Sequence, residues 1–568
     1  MSQHVPLHFL LIFLGLAFFT GCKTQIQEID NPYSDINWEK VHYLHSSTHQ
    51  HGRPLSTPSD WHGRGEERLN GLYDQGLRHF NLSNYVPSVP VYPYFALTDF
   101  LEEKDDVIAS PNAEHRTTTD FDMHFGTPGS YYNSGFARTW EVDTREAPYT
   151  HVFADGNFTF FDGLTVYDPD SELESDGAYR LIISLKAREG SNVEPSARIT
   201  FEGIVEREGR SSIRPAEGGG RVENLVITHS YDEKILVMDE NPMVHIEYDP
   251  ETTEIERFRL TARTLIPWRE AFSRALDGDR VNKHGQPIEG LQFEDGGGII
   301  INHPENSDYE SYLPLLDFDD RVLGMEVWNH RRTFGGQDEA PHDRYYQHWD
   351  NILSTGRRMY GFAVMDHRWL GRGRSLLLVP NPDERTREER KRDALRAYRQ
   401  GQFFMLIGAI DTDDEGNQLK TGDYTEFRFT DIQLENDGAG NPVAVRASVE
   451  GHNLAIRPNV QIRFITEEGM EEVVNDSQAR FELPRNNDGS INRKYVRIEA
   501  MAFPDTHKQG EPLTANMIEH MNVYDIAMLH DFLGVAGGTD YEGYERGNEP
   551  MGIVDMMFSQ PIRFINPD

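Results

Sequence analysis

Five or six short apolar runs in this chain each stop on a His, Glu or Asp, with helical stretches between them. Val41 to Leu44 gives way to His45, His49 and His51. GGGIIINHP ends in His303 and Pro304, RVLGMEVWNH reaches Glu326, Asn329 and His330, and MYGFAVMDHR reaches Asp366 and His367. Short apolar runs bounded by turn residues read as buried strands. The stretches Glu66–Gln75, Pro267–Gly278 and Glu384–Gly401 read as helices, with Gly76, Gly278 and Gly401 as their stops. In barrels of parallel strands, ligands and catalytic groups collect at the C-terminal strand ends. A single polar strand end means little, but a repeated one restricts the chain to folds that gather strand ends in one place.

The first of these ends carries the clearest chemistry. In an extended segment residues i and i+2 share a face, so His49 and His51 present two imidazoles side by side, and Gly52 lets the chain turn away. Imidazole suits zinc, manganese, iron and nickel. If the pair stands alone, a wet strand end is the commoner reading. Downstream, Glu114, His115 and His124 bring a carboxylate next to histidines, and a carboxylate can bridge two cations. Arg116, Arg331, Arg332 and Arg368 lie beside these motifs. They read either as binders of an anionic substrate or as salt-bridge partners in an acidic protein.

Composition sets the outer limits. At 568 residues the chain exceeds a single core, so about two to four domains are expected. Apolar residues make up 37% and aromatics 11%, enough for real cores. Acidic residues outnumber basic ones 94 to 55, a formal charge of −39, which argues against a nucleic-acid partner and for a solvated acidic surface.

At the N-terminus, Phe9 to Phe19 is an apolar stretch of 11 residues, too short to span a bilayer and right for a signal segment. It ends in FTGC, and Cys22 is the only cysteine, so no internal disulfide can form. The segment resembles a bacterial lipoprotein signal, with Phe19 where a leucine is usual and His4 and His8 in place of Lys or Arg. That implies an exported protein anchored to a membrane by a lipid on Cys22, on the periplasmic or outer-membrane face, with residues 23–40 as a polar tether.

Short β patterns fill 131–265 (YRLIISLKA, ARITFEGIVERE, VHIEYD) and return in 411–568 (EFRFTDIQLE, VQIRFITEE, YVRIEAMAF). Both regions read as antiparallel sandwiches, the first inserted between αβ segments at 41–130 and 266–410, the second Ig-like and C-terminal.

The order His-x-His, Glu with His ten residues on, strand-His-Pro, Glu-Val-x-Asn and Asp-His resembles the polymerase and histidinol phosphatase (PHP) family of metal-dependent phosphoesterases. It is most similar to the bacterial secreted branch. There ALR-x-x-x-x-G-x-(F/Y), here Ala394 to Phe403, follows the last metal motif, and an Asn-Pro-Ile-like segment, here Ser559-Gln560-Pro561-Ile562, closes the chain. The resemblance covers roughly 41–130 and 266–410 plus the tail. It implies a distorted (β/α)7 barrel holding divalent metal ions, zinc, manganese or iron, with two expected here. Carried over, His49 and His51 match the first motif, Glu114 the bridging carboxylate, His124 the histidine after it, His303 the His-Pro ligand, and Asp366 with His367 the last motif. His115 is an added candidate ligand.

Two departures mark this chain. The family's Thr-Asp-His appears as Ser83-Asn84-Tyr85, and its Asp-x-His as Asp366-His367. Tyr85, with a phenol of pKa about 10, is a poor ligand at neutral pH and is instead expected to hydrogen-bond the substrate, or else to pack against the neighbouring prolines. The implied activity is metal-assisted hydrolysis of a phosphorylated or otherwise anionic small molecule or glycan. Glu114 and Asp366 are the central groups, with Tyr85 and Arg116 beside them. Hydrolysis of a carboxyl ester, amide, carbamate or sulfate bond, and glycan binding without turnover, stay open.

Overall fold

The computed structural model describes residues 27–50, 65–83, 100–131, 138–143, 157–159, 178–263, 267–329, 342–366, 373–407, 426–506, 512–526 and 554–565, apart from short gaps inside these ranges. Cys22 and the signal segment, His51, Tyr85, Arg331, Arg332, His367 and Arg368 lie outside the described residues.

Strands dominate the described residues, and two of their six sheets meet at one corner. A five-stranded sheet runs in the order Tyr360–Val364, Val322–Asn329, Ile299–Asn302, His124–Gly126, Glu114–Arg116. Its first three strands are parallel and its last two antiparallel. An eleven-stranded sheet holds His42–Ser47 third from one end. On one side His79–Phe80 and Ile108–Ala109 follow in parallel. On the other side come Gly373–Val379, Phe403–Ile407, Asp555–Ser559 and Tyr495–Phe503, each antiparallel to its neighbour. Tyr495–Phe503 also pairs with Ile562–Ile565 and Asn459–Thr466. The corner is a parallel bridge between Gln50 and Asp366, closed by a hydrogen bond from Asp366 N to the His49 carbonyl at 2.9 Å.

This arrangement overturns the expected (β/α)7 barrel. Among the described residues thirty strands accompany only six α-helices, and the sheets are mixed. A parallel barrel needs a helical crossover between successive strands. Here Gly373–Val379 and Phe403–Ile407 turn the sheet antiparallel and lead it into strands more than 90 residues further on. The C-terminal strands are therefore part of the same sheet as His42–Ser47 and not half of a separate Ig-like sandwich. The remaining three strands, Arg428–Asn436, Pro442–Glu450 and Gln478–Glu482, form a small sheet. Phe429, Val445 and Phe481 from it pack with Phe404, Phe464, Ile498 and Met557 from the large sheet in one core. The described strands of 131–265 form one seven-stranded antiparallel sheet and a two-stranded ribbon, rather than two facing layers. The expected tether at 23–40 is also folded from residue 28. Glu28–Asp30 pairs with Ile562–Ile565, and Tyr33 is buried.

The helices follow their sequence signals closely. Trp268–Asp277 starts after Pro267 and stops at Gly278, packing Phe272 and Ala275 into a core with Phe125, Ile301 and Met325. Arg387–Gln400 carries a capping box between Thr386 and Glu389. It ends at Gly401 in the left-handed region (φ 68°), where a Cβ would meet the Tyr360 ring at 2.5 Å. No helix among the described residues is long and apolar enough to cross a membrane.

Candidate metal centre

The corner between the two sheets is where the strand ends converge. His42–Ser47 hands over to Thr48 and His49, and this turn is pinned by Asn112, whose Nδ2 donates to the Thr48 carbonyl at 2.8 Å. Glu114 opens the edge strand of the five-stranded sheet, and His124 lies on the strand beside it. His303 follows Ile299–Asn302, Glu326 and Asn329 sit within Val322–Asn329, and Asp366 follows Tyr360–Val364. His303 (φ 26°) and Asp366 (φ 54°) are the non-glycine residues with positive φ among those described. Such strain of roughly 1–3 kcal/mol each persists only where the surroundings enforce it, and it clusters at functional sites.

His49, Glu114 and His303 form a buried group whose ligand atoms lie within 4.8 Å of one another and could hold a metal ion. Glu114 faces two ways. Its Oε2 lies 3.3 Å from His49 Nε2, while its Oε1 lies 3.2 Å from His303 Nε2 and 2.6 Å from His124 Nδ1. Asp366 Oδ1 is 3.5 Å from His49 Nε2. Behind them, Glu326 holds the set together. Its Oε1 is 2.6 Å from His49 Nδ1, and its Oε2 accepts from the His303 backbone N–H at 2.7 Å and from Asn329 Nδ2 at 2.9 Å. Asn329 Nδ2 also donates to Asp366 Oδ2 at 3.2 Å. Anchoring Nδ1 on a carboxylate turns Nε2 of His49 toward Glu114 and Asp366, as a metal-ligating imidazole requires.

Charge supports the fit. Glu114, Glu326 and Asp366 are all essentially inaccessible to solvent, at 1, 0 and 1% exposure. Three converging buried carboxylates need compensating positive charge. Burial opposes a charged His49, yet Asp366, Glu114 and Glu326 more than offset it and hold its imidazole well above the usual range. Burial likewise opposes ionised Glu114, and His49 and His124 hold it well below the carboxylate range. A proton and a metal ion thus compete for the same nitrogen.

The candidate residues separate clearly. His49, Glu114, His303 and Asp366 come together, and His124 joins them at the half-buried rim. His115 does not. Alternation along Glu114–Arg116 turns it to the other face, where its ring stacks on Phe125 at 4.4 Å and Nε2 lies 2.9 Å from Thr127 Oγ1. Burial pushes its pKa down to about 3, so it stays neutral. Glu326 and Asn329 were visible in the sequence as strand-end polar groups, but nothing there assigned them ligand-orienting roles. The available signal was a carboxylate within an otherwise apolar run.

No protein-family model, no curated protein and no solved structure matches this chain.

Proposed function

We propose that this protein is a metal-dependent hydrolase, a phosphoesterase acting on an anionic substrate outside the cytoplasm. The observation that carries the reading is the convergence of three buried carboxylates with His49 and His303 at a strained strand-end corner. The order of strand-end motifs, similar to that of the PHP phosphoesterases, supports it independently of the fold.

His49, His303, Glu114 and Asp366 would hold the metal, two cations of the zinc, manganese or iron type. Glu114 would be the central carboxylate of the set, because its two oxygens face different histidines. A divalent cation bound there supplies Lewis-acid activation of water and of the scissile centre. Glu326 fixes the His49 tautomer and holds the His303 backbone, so one carboxylate positions both residues. Asn329 orients Asp366. His124, with 21% of its side chain exposed and Nδ1 on Glu114, is the group we assign to proton transfer at the open side. A lipid on Cys22 would place this chemistry at a membrane surface.

The test has two arms. Elemental analysis of the purified protein should find about two transition metals per chain. His49→Ala should remove at least one equivalent, and unchanged stoichiometry would overturn the assignment. A panel of phosphomonoesters, phosphodiesters, carboxyl esters and sulfate esters, with added Mn²⁺ or Zn²⁺, should show turnover on a phosphoester. Turnover confined to another class would move the protein to a different hydrolase type. Glycan retention with no turnover at all would make it a binding protein.

A further inference from the structure

We propose that Gln560 is a positioning residue for the metal centre, an inference that rests on the metal reading above. Its side-chain amide is fully buried and acts as a surrogate strand. Gly361 N–H donates to Gln560 Oε1 at 2.9 Å, and Gln560 Nε2 donates to the Gly361 carbonyl at 2.9 Å. Gly361 lies in register with Met325, the neighbour of Glu326. Five residues beyond Gly361 the same strand delivers Asp366.

The other side of Gln560 belongs to the large sheet. Its backbone N–H donates to Tyr33 Oη at 2.7 Å, and Tyr33 Oη donates to the Phe403 carbonyl at 3.1 Å. Ser559, the preceding residue, pairs with Phe404. Phe404 pairs with Leu376, and Leu376 with His45, four residues before His49. Gln560 therefore links the sheet that supplies His49 to the sheet that supplies Glu114, His303, Glu326 and Asp366. A site of this kind tolerates about 0.5 Å of misplacement, so a residue that sets the spacing of the two sheets sets the affinity of the site.

Only a carboxamide of this length presents one donor and one acceptor to a peptide group. Gln560→Glu keeps the shape but aims a carboxylate oxygen at the Gly361 carbonyl. Gln560→Met keeps the volume and removes both hydrogen bonds. Full-length wild type and both variants would be titrated with Zn²⁺ against a chromophoric chelator. Circular dichroism and thermal unfolding in excess EDTA would report the metal-free fold. The expected result is a folded variant whose dissociation constant for Zn²⁺ rises roughly tenfold or more, a change that a loss of fold stability alone would not produce. A folded variant with unchanged affinity overturns the proposal. So does loss of the fold in both variants, which would make Gln560 a structural clamp. Wild type that binds no Zn²⁺ would instead refute the underlying metal reading.

Discussion

Glu326 accepts from His49, from the His303 backbone and from Asn329 at once, and that is the residue-scale fact on which the site depends. Glu326→Gln preserves the volume but turns an amide nitrogen toward at least one of these donors. It should weaken metal affinity by about 10- to 100-fold without touching a ligand, read by the same chelator titration. His115→Gln should leave metal content unchanged, because that ring faces away from the cluster. A loss of one equivalent on elemental analysis would place His115 among the ligands after all. The sequence made His49, Glu114, His303 and Asp366 legible, because a polar residue ending an apolar run is conspicuous. It could not separate Glu114 from His115, since adjacent residues differ only by strand alternation, and the position of the strand's first residue was not readable.

Within single elements the signals were strong, and between elements they were weak. Pro267, Gly278 and Gly401 each mark a helix end through local backbone chemistry, and each does so in the structure, whereas the helix expected from Glu384 begins at Arg387, capped by Thr386. Thr386→Ala should cost about 1 kcal/mol, seen as a lower urea midpoint with metal binding intact. Strand partners carry no such local mark. The pairing of Phe403–Ile407 with Asp555–Ser559 crosses some 150 residues and replaced the expected barrel. A second joint of this sort is the buried set His45, Arg374 and Glu426. Glu426 lies 2.7 Å from His45 Nε2 and accepts from Arg374 at 2.8 Å. Burial would raise the Glu426 carboxyl, and its His45 and Arg374 partners more than offset that, holding it at about 2. A depressed carboxylate stabilises the fold above its unfolded pKa of about 4 and loses that contribution as pH falls toward 2. The amount is on the order of 3 kcal/mol. Glu426→Gln should therefore melt earlier than wild type at pH 6, and the gap should close between about pH 4 and 2. A constant gap across that range would contradict the linkage.

At the scale of the whole molecule, the large sheet joins described C-terminal strands directly to the strands that supply His49. A fragment ending at residue 410 would expose Phe404 and Leu406, which are otherwise buried. It should fail to fold, shown by rapid proteolysis and loss of near-ultraviolet dichroism; a stable, metal-binding fragment would contradict this. The N-terminal end is equally constrained. Five residues separate Cys22 from the strand beginning at Glu28, a reach of at most about 20 Å. With a lipid on Cys22 the folded body would rest against the membrane. Wild type should then fractionate with membranes of a Gram-negative host, and Cys22→Ser should not; identical soluble behaviour would remove the anchor. The placement of Asp555–Ser559 between Phe403–Ile407 and Tyr495–Phe503 also carries a consequence in time. A ribosome makes His49 early and Gln560 roughly 500 residues later, between about 25 and 100 s at ordinary bacterial elongation rates. Throughout that interval the sheet lacks an interior strand and its two halves cannot close. A chain that waits so long for its own middle stays threadable, a property that would suit the export proposed above.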